Sequence, residues 1–371
     1  MKLLNVSKIY SNIYNEIMNI NPKLNKRIQE LIGNNNININ VADLLVNAFN
    51  YTDIFDIDEI KQYIKEGLNE KEAMMQMFTK AFDIDYDLDE NKEVMDAYFL
   101  NNLKKLDSEE YLENEYAKTI KATGRYKKYA LKNITYEPYQ LFAYDDISLE
   151  GDKENSRIGY FDHKFSYLAL TEGNNIWMSL NPNEIETMKP FIAAAKGNVL
   201  VLGLGMGYVP FMMAMKNDVK SVTIIEKDPE IIGLFNSLIY PSFKNKEKIK
   251  IIEDDAINFV RKQNNFDYIF ADLWHSPEDG LSLFVQLKRI NRNIDCWLEV
   301  SMYALLRRCM ISLIEENTLG YGEENYKFSK TYTDKVINKY YQKTKNLFVN
   351  NDEDLNKLLD KDNLLSLLID N

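Results

Sequence analysis

The stretch Asn198-Val199-Leu200-Val201-Leu202-Gly203-Leu204-Gly205-Met206-Gly207-Tyr208-Val209-Pro210 decides the fold. Val199 to Leu202 is a continuous apolar run, as a strand buried on both faces requires. The glycines that follow let the chain turn sharply and leave bare backbone for a ligand to approach. Pro210 suits the first turn of a helix, where its missing N–H would find no partner anyway. Outward from this unit, Val222-Thr223-Ile224-Ile225, Ile249-Lys250-Ile251-Ile252, Tyr268-Ile269-Phe270-Ala271 and Cys296-Trp297-Leu298 recur with helix-length segments between them. Alternation of this kind predicts a doubly wound, Rossmann-like parallel α/β sheet.

Upstream, residues 134–180 hold short aromatic-rich runs such as Tyr139–Tyr144, Arg157–Phe161 and Phe165–Leu170, punctuated by Gly151-Asp152 and Glu172-Gly173-Asn174-Asn175. They read as a small antiparallel sheet of hairpins. A helix is expected across Asn183–Ala195. Residues 1 to about 130 carry helical periodicity, as in Leu24, Ile28, Leu31 and Ile32. Asn69 and Glu72 have capping-box spacing, and Met74, Met77, Phe78 and Phe82 read as helix core. Gly33–Asn40 is a loop signal. The expected division is a helical region 1–132, a β-hairpin region 133–182, a Rossmann-like region 183–328 and a helical tail 329–371, with Tyr303–Glu316 helical and a polar break at Asn350–Asp354.

Composition narrows the function. Lys and Arg number 45 against 57 Asp and Glu, a net charge of −12. That balance opposes broad binding to a phosphate backbone. Arg125-Tyr126-Lys127-Lys128-Tyr129 and Arg307-Arg308 are therefore read as solvated helix faces. Cys296, Cys309, His163 and His275 are too few and too dispersed for a thiolate or histidine metal site. The first residues do not read as a signal peptide, and the uncharged run Gly197–Met215 carries too many glycines for a membrane span. A cytoplasmic setting is expected, with a small-molecule substrate and neither nucleic acid nor membrane as partner.

The acids that follow the glycine turn point to the ligand. Glu226 ends the second strand, 21 positions after Gly205, where a carboxylate can accept both hydroxyls of a ribose. Glu253, Asp254 and Asp255 follow the third strand, within reach of an adenine amino group, and Asp272 ends the fourth. All stand at carboxyl ends of parallel strands, where such sheets bind ligands. A dinucleotide fingerprint wants Gly or Ala where Tyr208 or Pro210 stands. The pattern therefore suits S-adenosyl-L-methionine better than NAD.

On these residues, Val199–Asp272 resembles the core of class I S-adenosylmethionine-dependent methyltransferases, and most of all the spermidine synthase-like group, over about residues 135–300. Met178-Ser179-Leu180-Asn181-Pro182-Asn183-Glu184-Ile185 echoes the segment that precedes the family's core. The resemblance implies cofactor contacts at Gly203, Gly205, Gly207, Glu226, Asp254, Asp255, Ala256 and Asp272, and a homodimer. Departures are equally informative. True aminopropyltransferases follow the fourth-strand aspartate with a second aspartate, where this chain has His275 in Asp272-Leu273-Trp274-His275. Their tyrosine–histidine–acid triplet is here Thr187-Met188-Lys189. Holding a buried polycation without paired acids is costly.

Methyl transfer to a small-molecule acceptor is thus the expected activity, with Asp272 orienting the acceptor or receiving its proton and His275 as a base or loop anchor. Tyr208 and Trp274 are candidate substrate-site residues, Trp274 walling the acceptor pocket or shielding the sulfonium and Tyr208 lining the donor pocket. Aminopropyl transfer from decarboxylated S-adenosylmethionine is the first alternative, and a non-catalytic nucleoside-binding protein the second.

Overall fold

A computed structural model describes residues 21–51, 54–263, 265–318 and 330–370. At its centre lies a parallel five-stranded sheet. Its strands are β8 (Gly197–Leu202), β9 (Val219–Glu226), β10 (Ile249–Glu253), β11 (Tyr268–Ala271) and β12 (Asp295–Cys296), ordered β10-β9-β8-β11-β12. The chain runs outward from β8 through β9 to β10, then returns to lay β11 on the other side of β8. The switch point between β8 and β11 is where such sheets bind ligands. Helices α7 (Pro182–Ala194), α8 (Tyr208–Ala214), α9 (Pro229–Leu234), α10 (Ala256–Lys262), α11 (Pro277–Ile290) and α12 (Glu299–Thr318) accompany the strands. The fifth strand is shorter than its apolar run Cys296-Trp297-Leu298 predicts. Leu298 takes φ +53° and the chain passes directly into α12.

The aromatic runs upstream form two sheets, where the sequence predicts one. Strands β2 (Gly124–Tyr126), β3 (Tyr129–Tyr136), β6 (Phe165–Glu172) and β7 (Asn175–Ser179) make an antiparallel four-stranded sheet. Strands β4 (Phe142–Glu150) and β5 (Lys153–Tyr160) pair as a hairpin, and β1 (Leu103–Lys105) joins β5 in parallel. Strand pairing therefore begins well before residue 133. Arg125–Tyr129 lies in the β2–β3 hairpin and not on a helix. Its Lys128 pairs with Glu172, and Tyr129 donates a hydrogen bond to Asp228 at 2.8 Å.

The amino-terminal region contributes α1 (Pro22–Asn50), α2 (Ile57–Lys65), α3 (Glu70–Ala81), α4 (Asp89–Met95), α5 (Ser108–Leu112) and α6 (Glu115–Thr119). The capping box of Asn69 and Glu72 forms at the start of α3, and Met74, Met77 and Phe78 are buried. The helical expectation for residues 1–20 lies outside the described residues. In the tail, α13 (Tyr332–Thr344), α14 (Asp352–Leu358) and α15 (Lys361–Ile369) leave a break that includes Asn350-Asn351. Among the described residues no helix is long and apolar enough to cross a membrane.

Gly33–Asn40 is not a loop. It runs unbroken through α1, with Asn36 and Asn40 facing water and Asn35 and Asn38 buried. Asn38 is 3 % exposed. Its Nδ2 donates to the Asp152 carbonyl at 2.8 Å, and its Oδ1 accepts from Tyr98 Oη at 2.9 Å and from Glu154 N at 3.1 Å. Four groups thus find partners where a buried polar atom left alone would be costly. Arg307 and Arg308 also depart from the expected solvated face. Arg307 pairs with Asp152, as Arg27 does, and Arg308 pairs with the buried Glu154. Burial by itself would raise the Asp152 carboxyl, but its hydrogen bonds and charge contacts with the two arginines hold it below its ordinary range.

Helix α1 is shared by two cores. Leu24, Ile28 and Leu31 pack into the large core that includes the parallel sheet, whereas Val41, Leu45 and Ala48 pack with Met74, Phe78 and Phe99. Asn38→Ala removes the hub between the two halves. We expect a loss of about 2–3 kcal/mol in urea unfolding at pH 7. A change below about 0.5 kcal/mol would show that the hub is dispensable.

Candidate functional site

The turn after β8 is fixed by its neighbours. Gly203 has φ +101°, and a Cβ there would stand 2.1 Å from the carbonyl oxygen of Asp272. Backbone bonds lock the same crossing, with Asp272 N donating to Leu202 O and Gly203 N to Ile225 O, each at 2.9 Å. Gly207, at φ +77°, caps α8. The sequence therefore brings the tip of β11 directly beneath the glycine turn, as the parallel order requires.

A narrow cleft opens there, lined by Met178, Gly203, Gly207, Tyr208, Glu184 and Asp272 among others. The space open to a water's centre is about 10 Å³, close to what a single water needs. Gly205 explains the narrowness: Met178 Sδ would lie 2.1 Å from a Cβ at this glycine. The thioether from β7 covers the bare backbone that a nucleoside would approach.

Asp272 and Glu184 are the cleft's chemistry. Each retains slight contact with solvent, and neither carboxyl has a hydrogen-bond partner among the described residues. Burial, then the charge of Glu226, pushes Asp272 from its ordinary 3.8 up to about 7. Burial, then Asp272 itself, pushes Glu184 well above the usual carboxylate range. Two carboxyls that oppose each other's ionisation in poor solvent hold a proton at neutral pH.

Glu184 was not among the residues singled out in the sequence, although it lies inside the Met178–Ile185 segment. Asn181 caps α7, accepting from Glu184 N at 3.0 Å. This cap places the Glu184 side chain on the first turn, facing the β11 tip.

The other candidates are dispersed. Glu226 stands at the β9 tip, where its carboxylate accepts from Leu204 N at 3.1 Å and Asp228 N at 2.8 Å. It braces the glycine turn and its charge reaches Asp272. Asp255 is the N-cap of α10, accepting from Asn258 N at 2.9 Å, and Asp254 accepts from Asp255 N at 2.8 Å. Ala256 is buried at the start of α10; none of these three lines the cleft. Tyr208 does line it, 4 % exposed, its hydroxyl held by Asn114 Nδ2 at 3.2 Å.

Trp274 lines neither the cleft nor the larger cavity that holds His275. Its indole packs over Gly280 and donates to Trp297 O at 3.2 Å, inside the core. His275 is separated from Asp272: it is exposed, lines a different and larger cavity, and sets its ring against Trp177 with centroids 4.8 Å apart. Thr187 is buried and accepts from Trp297 Nε1 at 3.0 Å. Lys189 is exposed and pairs with Glu186. Neither lines the cleft.

Residues 185–296 match the spermine/spermidine synthase domain. This finding overturns the expectation of methyl transfer, since it points to aminopropyl transfer instead. Among solved structures, spermidine synthase from Thermotoga maritima aligns with a TM-score of 0.25 and 13% identity, over 40% of this chain and 60% of that one. This chain thus spans less than two thirds of that enzyme's length. No curated protein matches.

Folding favours the protonated form of Asp272, because its folded value lies above the unfolded one. That contribution is complete below about pH 4 and fades as pH climbs through 7. Asp272→Asn stays neutral throughout. Its urea stability should equal wild type near pH 4 and exceed it at pH 8 by about 4 kcal/mol. Parallel stability curves for the two proteins between these limits would contradict the shifted carboxyl.

Proposed function

We propose that the chain is a spermidine synthase-like aminopropyltransferase that acts on an amine acceptor at the Asp272–Glu184 cleft. The observation that carries this reading is the pair of unpartnered carboxyls beside the glycine turn, one of them poised near neutrality. An ammonium acceptor is inert until it loses a proton. A base with a value near the working pH is the most effective group to take it.

The second acid that the sequence lacks after Asp272 is supplied from another direction. His275 occupies that place in the chain, but Glu184 brings the second carboxylate from α7 into the same cleft. Paired acids offset the cost of burying a cation. Asp272 would accept the amine's proton, its value kept high by burial and the charge of Glu226, and Glu184 would face the acceptor from α7.

Decarboxylated S-adenosylmethionine, when bound, would supply an aminopropyl group activated by its sulfonium. Gly203, Gly205, Glu226 and Asp272 would hold it. Their chemistry fits: bare backbone, a strand-tip carboxylate for the ribose, and an acid for the cationic tail. Fit in shape requires Met178 to leave Gly205, which its flexible, unbranched side chain permits.

The test is to incubate the protein with the decarboxylated donor and putrescine or spermidine and to follow methylthioadenosine. The reading predicts product, a kcat/KM profile with a limb near pH 7, and a loss of roughly 10²- to 10⁴-fold in Asp272→Asn. Absence of product with both amines would refute it, as would turnover that Asp272→Asn leaves intact. Met178→Ala should tighten binding of methylthioadenosine by about 3- to 10-fold in calorimetry, whereas weaker binding would show that the thioether is part of the pocket wall.

A further inference from the structure

A larger cavity lies elsewhere, between α1, the β4–β5 hairpin and the loop before α11. Its volume of about 540 Å³ is the size of an ordinary small-molecule site. Apolar side chains of α1, including Val41, Leu45 and Phe49, form one wall. Asn183 reaches it from α7, next in sequence to the Glu184 that faces the cleft.

The charged groups of this cavity differ in one respect. Arg308 is paired with Glu154. Asp146 accepts from Ser301 Oγ and from the backbone N–H groups of Val300 and Ser301, which closes the start of α12. Arg157 has no ion pair and no side-chain hydrogen bond among the described residues, and its Nε is fully buried without an acceptor. A buried Nε left so is costly, because that donor loses water and gains nothing. Directly opposite on β4, in register with Arg157, stands Asp145. The two form no salt bridge, and the Asp145 carboxylate accepts only from Asp146 N.

We propose that this cavity binds a small amino acid-type ligand, with Arg157 taking its carboxylate and Asp145 facing its ammonium. A carboxylate matches the fork of a guanidinium in two parallel hydrogen bonds. The neighbouring unpaired acid selects for a positive group on the same molecule, and the α1 wall accommodates an apolar or methylene chain. A simple diamine satisfies Asp145 but leaves Arg157 unanswered, so the site discriminates between ornithine and putrescine, which differ by one carboxylate. The inference does not depend on the transfer reading, because it is read by binding alone.

Calorimetry with the full chain tests it, using ornithine, each of the standard amino acids, and putrescine as titrants. We expect saturable binding of at least one amino acid and none of putrescine. Arg157→Gln should weaken that binding about tenfold or more, and Arg157→Lys, which keeps the charge but loses the fork, should fall between wild type and Arg157→Gln. Unfolding midpoints check both variants; should Arg157→Gln fail to fold, the ornithine–putrescine contrast in the wild-type protein decides. Failure of every amino acid to bind, equal binding of putrescine and ornithine, or binding unaffected in a folded Arg157→Gln protein would overturn the proposal.

Discussion

Where β8 and β11 part, the carbonyl of Asp272 passes so close to Gly203 that no side chain can stand between them. This contact sets what the rest of the site can be. It forces a glycine at the turn and seats the Asp272 side chain under the turn. It also gives the aspartate poor solvation. The shifted carboxyl follows from the crossing, since a group at the tip of a central strand, roofed by a backbone turn, cannot keep a full hydration shell. Glu226 then serves two ends. Its oxygens hold Leu204 N and Asp228 N, which keeps the turn in place, and its charge discourages Asp272 from ionising.

A second constraint comes from α1. One helix belongs to two hydrophobic cores, and its buried Asn38 ties the β4–β5 hairpin to both. Arg27, Arg307 and Arg308 add charge pairs from α1 and α12 to Asp152 and Glu154 on the same hairpin. Pairs that are buried and hydrogen-bonded on both sides fix geometry more than they add stability. The large cavity lies beside this anchored hairpin, whose strand β4 also packs against α7. Its unpaired Arg157 stands on the strand that carries the anchors.

The central sheet was legible in the sequence, because strands buried on both faces must be apolar throughout and Val199–Leu202 and Tyr268–Ala271 have no other use for such runs. The glycine turn and the strand-tip acids followed from the same logic. The errors have a common cause. Gly33–Asn40 and Arg307-Arg308 read as solvated by their preference for water, but Asn38 and the two arginines meet partners from distant sequence that a linear reading cannot see. The same blindness hid Glu184, whose importance depends on a capping asparagine that aims it at a strand 88 positions away. Trp274 and His275 follow Asp272 directly in the chain. In space the strand end sends one inward and the other to a different cavity.

The central claim is that Asp272 and Glu184 share one cleft and resist joint ionisation. Carbon-13 NMR titration of the side-chain carboxyls, with Asp272→Asn and Glu184→Gln used to assign them, measures this directly. The account predicts a carboxyl that titrates near pH 7 in the wild-type protein and vanishes in Asp272→Asn. It also predicts that the Glu184 resonance moves toward ordinary values once its neighbour is neutral. Two carboxyls that both titrate between about 3.5 and 4.5, each indifferent to loss of the other, would contradict it.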